Sequence, residues 1–257
     1  MKARWNINLL CLLLGFVLWG CSEPVDSSNL KTSGIYAWIN VEATSATLAN
    51  VGVNLSSGST PFASDVDLNG GDALRVETNS DSRQLSQGGL PVLGLNYEAN
   101  VAYSGDSAFR VALLRTDGVD ATQSTVSIPL PFNITSPAAS TSFTNVDTLA
   151  LTWQPASAGT MQIEFAMQCI DTLGRQMEWA DFLDVVDTGS YSILVTTLLA
   201  VNMTDSNTNQ PIVIDTTQPC SATFLLTKTI SGSVDANLGG GTISATQTRT
   251  LQVVIMP

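Results

Sequence analysis

Met161, Ile163, Phe165, Met167 and Cys169 set five apolar side chains on alternate positions, with Gln162, Glu164, Ala166 and Gln168 between them. A repeat of two fits an extended strand with one face on a core. A slip of one residue would turn all five towards water, so this run fixes its own register. The same period recurs in Ile35, Ala37, Ile39 and Val41, in Leu149, Leu151 and Trp153, and in Ile193, Val195, Thr197, Leu199 and Val201. Shorter runs at Leu48–Leu55, Ala73–Glu77, Tyr97–Tyr103, Phe109–Leu113 and Val126–Leu130 are parted by turn clusters such as Asn69-Gly70-Gly71 and Ser104-Gly105-Asp106. The last two runs, Ala222–Ile230 and Thr242–Met256, flank Asp235–Gly241 and predict a C-terminal hairpin. Gly239-Gly240-Gly241 reads as a flexible turn within it.

Such a pattern predicts an all-β chain of two tandem antiparallel β-sandwich domains. Pro129, Pro131 and Pro137 interrupt any sheet interior, which sets the expected division at 34–135 and 136–257. One segment departs from the period. Glu178, Asp181 and Asp184 recur every three residues beside Trp179, Phe182 and Leu183, which predicts a short helix over 175–185.

The first 22 residues have another character. Lys2 and Arg4 precede an apolar run from Ile7 to Trp19, followed by Gly20 and Cys21. Thirteen residues are too few for a membrane-spanning helix, which needs about 20, but suit a secretory leader. Leu18-Trp19-Gly20-Cys21 resembles the lipobox of bacterial lipoproteins. The resemblance implies cleavage after Gly20, a covalent lipid on Cys21 and anchoring to a membrane. Ser22 at the following position implies the outer membrane. Residues 21–33 are then a lipidated tether.

Without residues 1–20 the chain keeps 8 basic against 22 acidic residues, a net charge of −14. That balance repels phosphate backbones and argues against a nucleic-acid partner. With Cys11 in the leader and Cys21 lipidated, Cys169 and Cys220 remain, and in an oxidising compartment they are expected to form a disulfide.

Histidine is absent. This removes Ser-His-Asp and Cys-His catalysis and most zinc sites. No carboxylate pair stands out among the 22 acids, so the expectation is a protein that is not an enzyme and carries no cofactor. Asp65, Asp67, Asn69 and Asp72 resemble the opening of a calcium-binding EF-hand loop. The twelfth position is Val76 rather than Glu, and a strand followed by an Asn-Gly-Gly turn explains the same residues. Trp179, beside Glu178 and Asp181, is either a platform for stacking a sugar or a lid on the core beneath it. Tyr36 and Trp38 share a strand face assigned to the domain core or to a contact between domains.

Asp187-Thr188-Gly189-Ser190-Tyr191 resembles the Asp-x-Gly-x-Tyr pattern of immunoglobulin-like domains. The resemblance implies a tyrosine hydrogen-bonded to upstream backbone, with Ile193 where those domains carry a cysteine and Trp153 as their buried tryptophan. It concerns fold alone. Together these features predict a lipid-anchored envelope protein with a structural or protein-interaction role. The alternative is a lipoprotein that binds carbohydrate or peptidoglycan.

Overall fold

The computed structural model describes residues 23–60, 63–88, 94–105, 108–157, 159–200, 204 and 211–257. Gly20 and Cys21 lie outside them. The chain forms two compact units, neither continuous in sequence. Unit 1 takes residues up to Val41, Leu48–Val126 and Ser231–Ser244, and unit 2 takes Glu42–Thr47, Ser127–Ile230 and Ala245–Pro257.

The strands are β1 (Val25–Asp26), β2 (Tyr36–Ala43), β3 (Leu48–Ser56), β4 (Val66–Asp67), β5 (Ala73–Glu77), β6 (Ser82–Gln84), β7 (Ser86–Gly88), β8 (Asn96–Ala102), β9 (Ala108–Leu114) and β10 (Ala121–Ser127). There follow β11 (Asn133–Ser136), β12 (Ser142–Thr144), β13 (Thr148–Gln154), β14 (Thr160–Ile170), β15 (Gln176–Val186), β16 (Ser190–Leu194), the helix α1 (Val195–Leu199), β17 (Cys220–Ser231) and β18 (Gly240–Met256). The chain is all-β, as its period-two runs predict. Among the described residues no helix is long and apolar enough to cross a membrane.

In unit 1 one sheet runs in the order β18, β2, β3, β8, β7 and the other β10, β9, β5, β6. Ala37, Ile39, Val41, Ala49, Val51, Val53 and Leu55 are buried from the first sheet, and Leu74, Val76, Phe109, Val111 and Leu113 from the second. Each set occupies alternate positions, as a pleated strand requires. The segment expected as a tether is structured from Val25, where β1 pairs in parallel with β4. Arg115 secures it from within: Nη2 donates to the carbonyls of Ser27 and Leu30 at 2.7 and 3.0 Å. Its Nε lies 2.8 Å from the Asp72 carboxylate, both side chains being almost wholly buried.

Unit 2 packs the sheet β11, β13, β16 against β15, β14, β17, β18, with β12 adding to β18 in parallel. Met161, Ile163, Phe165, Met167 and Cys169 all point inward and meet Leu149, Leu151 and Trp153 of the other sheet in one core. Cys169 and Cys220 form the expected disulfide, Cα atoms 4.4 Å apart. Because Gln168 pairs with Ser221, the bridge joins neighbouring strands of one sheet. The C-terminal hairpin is present as β17 and β18.

Several expectations need correction. Residues 176–186 form strand β15, paired with β14 over eleven positions, where a helix was expected. The helix lies instead at Val195–Leu199, inside a run that reads as a strand. Gly240 and Gly241 open β18 and do not form a flexible turn. In the Asp-x-Gly-x-Tyr stretch it is Asp187 that supplies the fastening contact, accepting from the Trp153 indole N–H at 2.6 Å. Tyr191 lies on β16 opposite Leu151 and packs against the core. Trp153 is fully buried, as the resemblance implies.

Candidate functional site

The most ligand-like surface is the outer face of the unit 1 sheet. Since Ile35, Ala37, Ile39 and Val41 turn inward, Tyr36, Trp38 and Asn40 turn outward. These two aromatics are therefore not core residues. Their ring centroids are 6.4 Å apart and their planes 24° from parallel. That separation is close to the roughly 6.8 Å between alternate residues of a strand, so the rings are neighbours with nearly parallel planes. They form a paired apolar patch.

Backbone geometry lays the Tyr36 ring down. A Cβ on Gly239 would come within 2.8 Å of the ring, and one on Gly240 within 3.1 Å. A Cβ on Gly241, where φ is +130°, would stand 1.8 Å from the Ala37 carbonyl oxygen. The glycine run is thus a seat for β2 and its tyrosine.

Beside the rings the face is carpeted with small polar groups. Asn50, Gly52 and Asn54 of β3 stand outward, with Asn50 opposite Asn100 and Gly52 opposite Glu98 of β8. An Asn50 amide N–H donates to Asn100 at 3.3 Å, and one from Asn54 to the Leu95 carbonyl at 2.9 Å. Asn96 donates to the Glu98 carboxylate. Its carbonyl oxygen is buried and accepts no hydrogen bond among the described residues. Gly52 leaves open the space beside that oxygen, since a Cβ there would meet it only at 3.7 Å. The result is an open depression of about 370 Å³ lined by Trp38, Asn50, Gly52, Asn96, Glu98 and Thr242, among others. A second, of about 320 Å³, shares Trp38 and Asn54 with the first and reaches Ser59 and Asp65.

No known protein family and no curated protein matches the chain. Among solved structures it is similar to the fibronectin(III)-like modules of Clostridium thermocellum CbhA. That match has 10% identity, spans 86% of this chain and 90% of that one, and has a TM-score of 0.26. It is also similar to Bacteroides ovatus SGBP-B of a mixed-linkage glucan utilization locus, solved with a mixed-linkage heptasaccharide, at 9% identity, 86% and 59% coverage and a TM-score of 0.18.

The four residues of the EF-hand-like stretch do not converge. Asp65 accepts the Leu95 N–H at 2.8 Å. Asp67 pairs with Asp26 across β1 and β4. The Asn69 amide donates to Asp26. Asp72 is taken by Arg115, by the Ser27 hydroxyl at 2.7 Å and by the Thr116 N–H at 2.8 Å. Tyr97, whose hydroxyl donates to the Val66 carbonyl and accepts the Leu68 N–H, pins the stretch as a strand. Among the described residues no group of three or more His, Cys, Asp or Glu is placed to hold a metal ion. Trp179 sits half-buried on β15, packs against the unit 2 core and donates its indole N–H to the Leu198 carbonyl at 3.2 Å.

Unit 2 holds the most strongly perturbed acid. Burial acts to raise the Asp187 pKa, but hydrogen bonds from Lys228, Ser157 and Trp153, with the Lys228 charge, bring it down to about 2. Lys228 also donates to the Pro155 carbonyl at 2.8 Å and sits 4.9 Å from the centre of the Phe132 ring. Every donor around this carboxylate belongs to the fold, which makes the cluster a fastening.

The Trp38 face had one sequence signal. Asparagine at alternate positions in Asn50-x-x-x-Asn54 and Asn96-x-x-x-Asn100, beside Tyr36-x-Trp38, marks strands whose second face is polar and aromatic.

Proposed function

We propose that this protein is a lipid-anchored, non-catalytic binding protein of the bacterial outer membrane. It is held through Cys21 and meets its partner with the outer face of the β18-β2-β3-β8-β7 sheet. The observation that carries the reading is that face: two neighbouring aromatic rings with nearly parallel planes and a lawn of amides on a rigid sheet, with the core packed behind it. Binding surfaces supported by a rigid scaffold lose little freedom when they engage.

The anchor is supported by the leader and its Leu18-Trp19-Gly20-Cys21 ending. Cells expressing the full chain and its Cys21→Ser variant separate the outcomes. The parent is expected in the detergent phase of a Triton X-114 partition and to take up labelled palmitate, and the variant in the aqueous phase without label. A variant that still partitions with detergent sinks the lipid assignment.

A further inference from the structure

We propose that the Tyr36–Trp38 face is a binding site for a neutral polysaccharide. The site rests on the binding face described above and is independent of the lipid on Cys21.

The apolar area of the face is confined to two flat rings. A pyranose presents the matching surface, since the C–H groups on one side of its ring form an apolar, weakly positive patch. The negative face of an aromatic ring attracts that patch. Around the rings stand Asn40, Asn50, Asn54 and Asn96, with Thr242 and Ser244 of β18. Each carboxamide has both a donor and an acceptor, the combination that vicinal sugar hydroxyls engage in pairs. Several of these groups already have one protein partner, which fixes their orientation in advance.

Two details narrow the ligand. Glu98 is the charged residue lining the depression, in a chain whose overall charge is strongly negative. An anionic polymer is therefore repelled, and no cluster of carboxylates is present to select a cationic one. Second, the Asn96 side-chain carbonyl oxygen is a buried acceptor that meets no donor among the described residues, next to the space left by Gly52. Such an atom costs free energy until a donor reaches it. A hydroxyl seated over Gly52 is such a donor.

A protein partner fits less well. Interfaces between proteins draw on aliphatic side chains, Met and Arg around their aromatic anchors. Ile39, which also lines the depression, points into the core, and Met and Arg are missing from its lining. The two depressions share Trp38 and Asn54 and so offer room for consecutive sugar units, and a chain fits better than a monosaccharide.

Affinity electrophoresis of the full-length protein in detergent tests this, using gels that contain hydroxyethylcellulose, galactomannan or dextran, with alginate as the anionic control. At least one neutral polymer is expected to retard the protein, and alginate is not. Trp38→Ala should weaken retardation by at least about tenfold, while Trp179→Ala leaves it unchanged. Gly52→Glu fills the depression from a half-buried position that does not need a left-handed φ. It should abolish retardation while the melting temperature stays close to that of the parent, which guards against misreading an unfolded Trp38 variant. Failure of all three neutral polymers overturns the proposal. So does equal retardation of the parent and both face variants, or a concentration-dependent dimer that Gly52→Glu dissolves. Cys21→Ser should bind as the parent does, so loss of the anchor and loss of the glycan site read out separately.

Discussion

Lys228 reaches from β17 to the Asp187 carboxylate in the turn before β16, 2.8 Å away, with both side chains less than 5% exposed. Lys228 lies on β17, and Asp187 lies in the turn that carries the chain from β15 of that same sheet to β16 of the other, so the pair rivets this crossover in place. Asp187 has its pKa depressed to about 2 from an ordinary 3.8. A depressed acid stabilises the fold above its ordinary pKa, and the gain is lost as pH falls through the folded value. Urea unfolding of the parent should therefore lose roughly 2 kcal/mol between about pH 4 and pH 2 from this group. Asp187→Asn should be less stable at pH 7, by roughly 3–5 kcal/mol, because Lys228 stays buried without its counter-charge. It should also lack that part of the acid slope. An unchanged slope would show that other carboxylates govern acid unfolding.

The Cys169–Cys220 bridge closes a separation of 51 residues between neighbouring strands. In the chain-entropy view a loop of this size stabilises by about 4 kcal/mol. Reduction, or the double Cys169→Ala and Cys220→Ala variant, should lower the melting temperature accordingly. Since both thiols lie in a packed core, both variant positions should still be protected in hydrogen exchange.

Two glycines of the same sheet should respond in opposite ways. Gly241→Ala forces a Cβ against the Ala37 carbonyl at a left-handed φ, and should cost more than about 2 kcal/mol. Gly52→Ala meets only the Asn96 oxygen at 3.7 Å, and should stay within about 0.5 kcal/mol of the parent. Thermal melts of the two variants side by side check the contrast.

Arg115 binds Asp72 and two carbonyls of the N-terminal segment at once. Arg115→Ala should destabilise unit 1 by roughly 3–5 kcal/mol, since it leaves Asp72 buried without its cation. Amide exchange over residues 27–34 should speed up before that of β2 or β3. Uniform acceleration would mean that the segment is fastened elsewhere.

Much of the fold was legible in the strands, because alternation is a local property of sequence. The five inward positions from Met161 to Cys169 are all buried. What misled was a pair of segments where local pattern and tertiary partner disagree. Glu178, Asp181 and Asp184 have helical spacing, yet Met177, Trp179, Leu183 and Val185 have strand spacing too. The full-length partner β14 decides between them. Val195-Thr196-Thr197 is rich in β-branched residues, but Val195 and Leu198 are buried three apart, as a single turn closing the core requires. The two segments meet where the Trp179 indole N–H donates to the Leu198 carbonyl, an acceptor that a one-turn helix leaves open. The Trp38 face escaped notice because Tyr36 and Trp38 look like core residues, and no local rule reveals which of two apolar faces a sheet will bury.

The pairing of Val25 with Val66 has a consequence for movement. With a lipid on Cys21, only residues 22–24 lie between the bilayer and the first docked strand, a reach of about 14 Å when fully extended. A body mounted so closely cannot patrol the space between membranes. So anchored, it would drift in a thin layer along the bilayer, and whatever it met would have to be delivered into that layer.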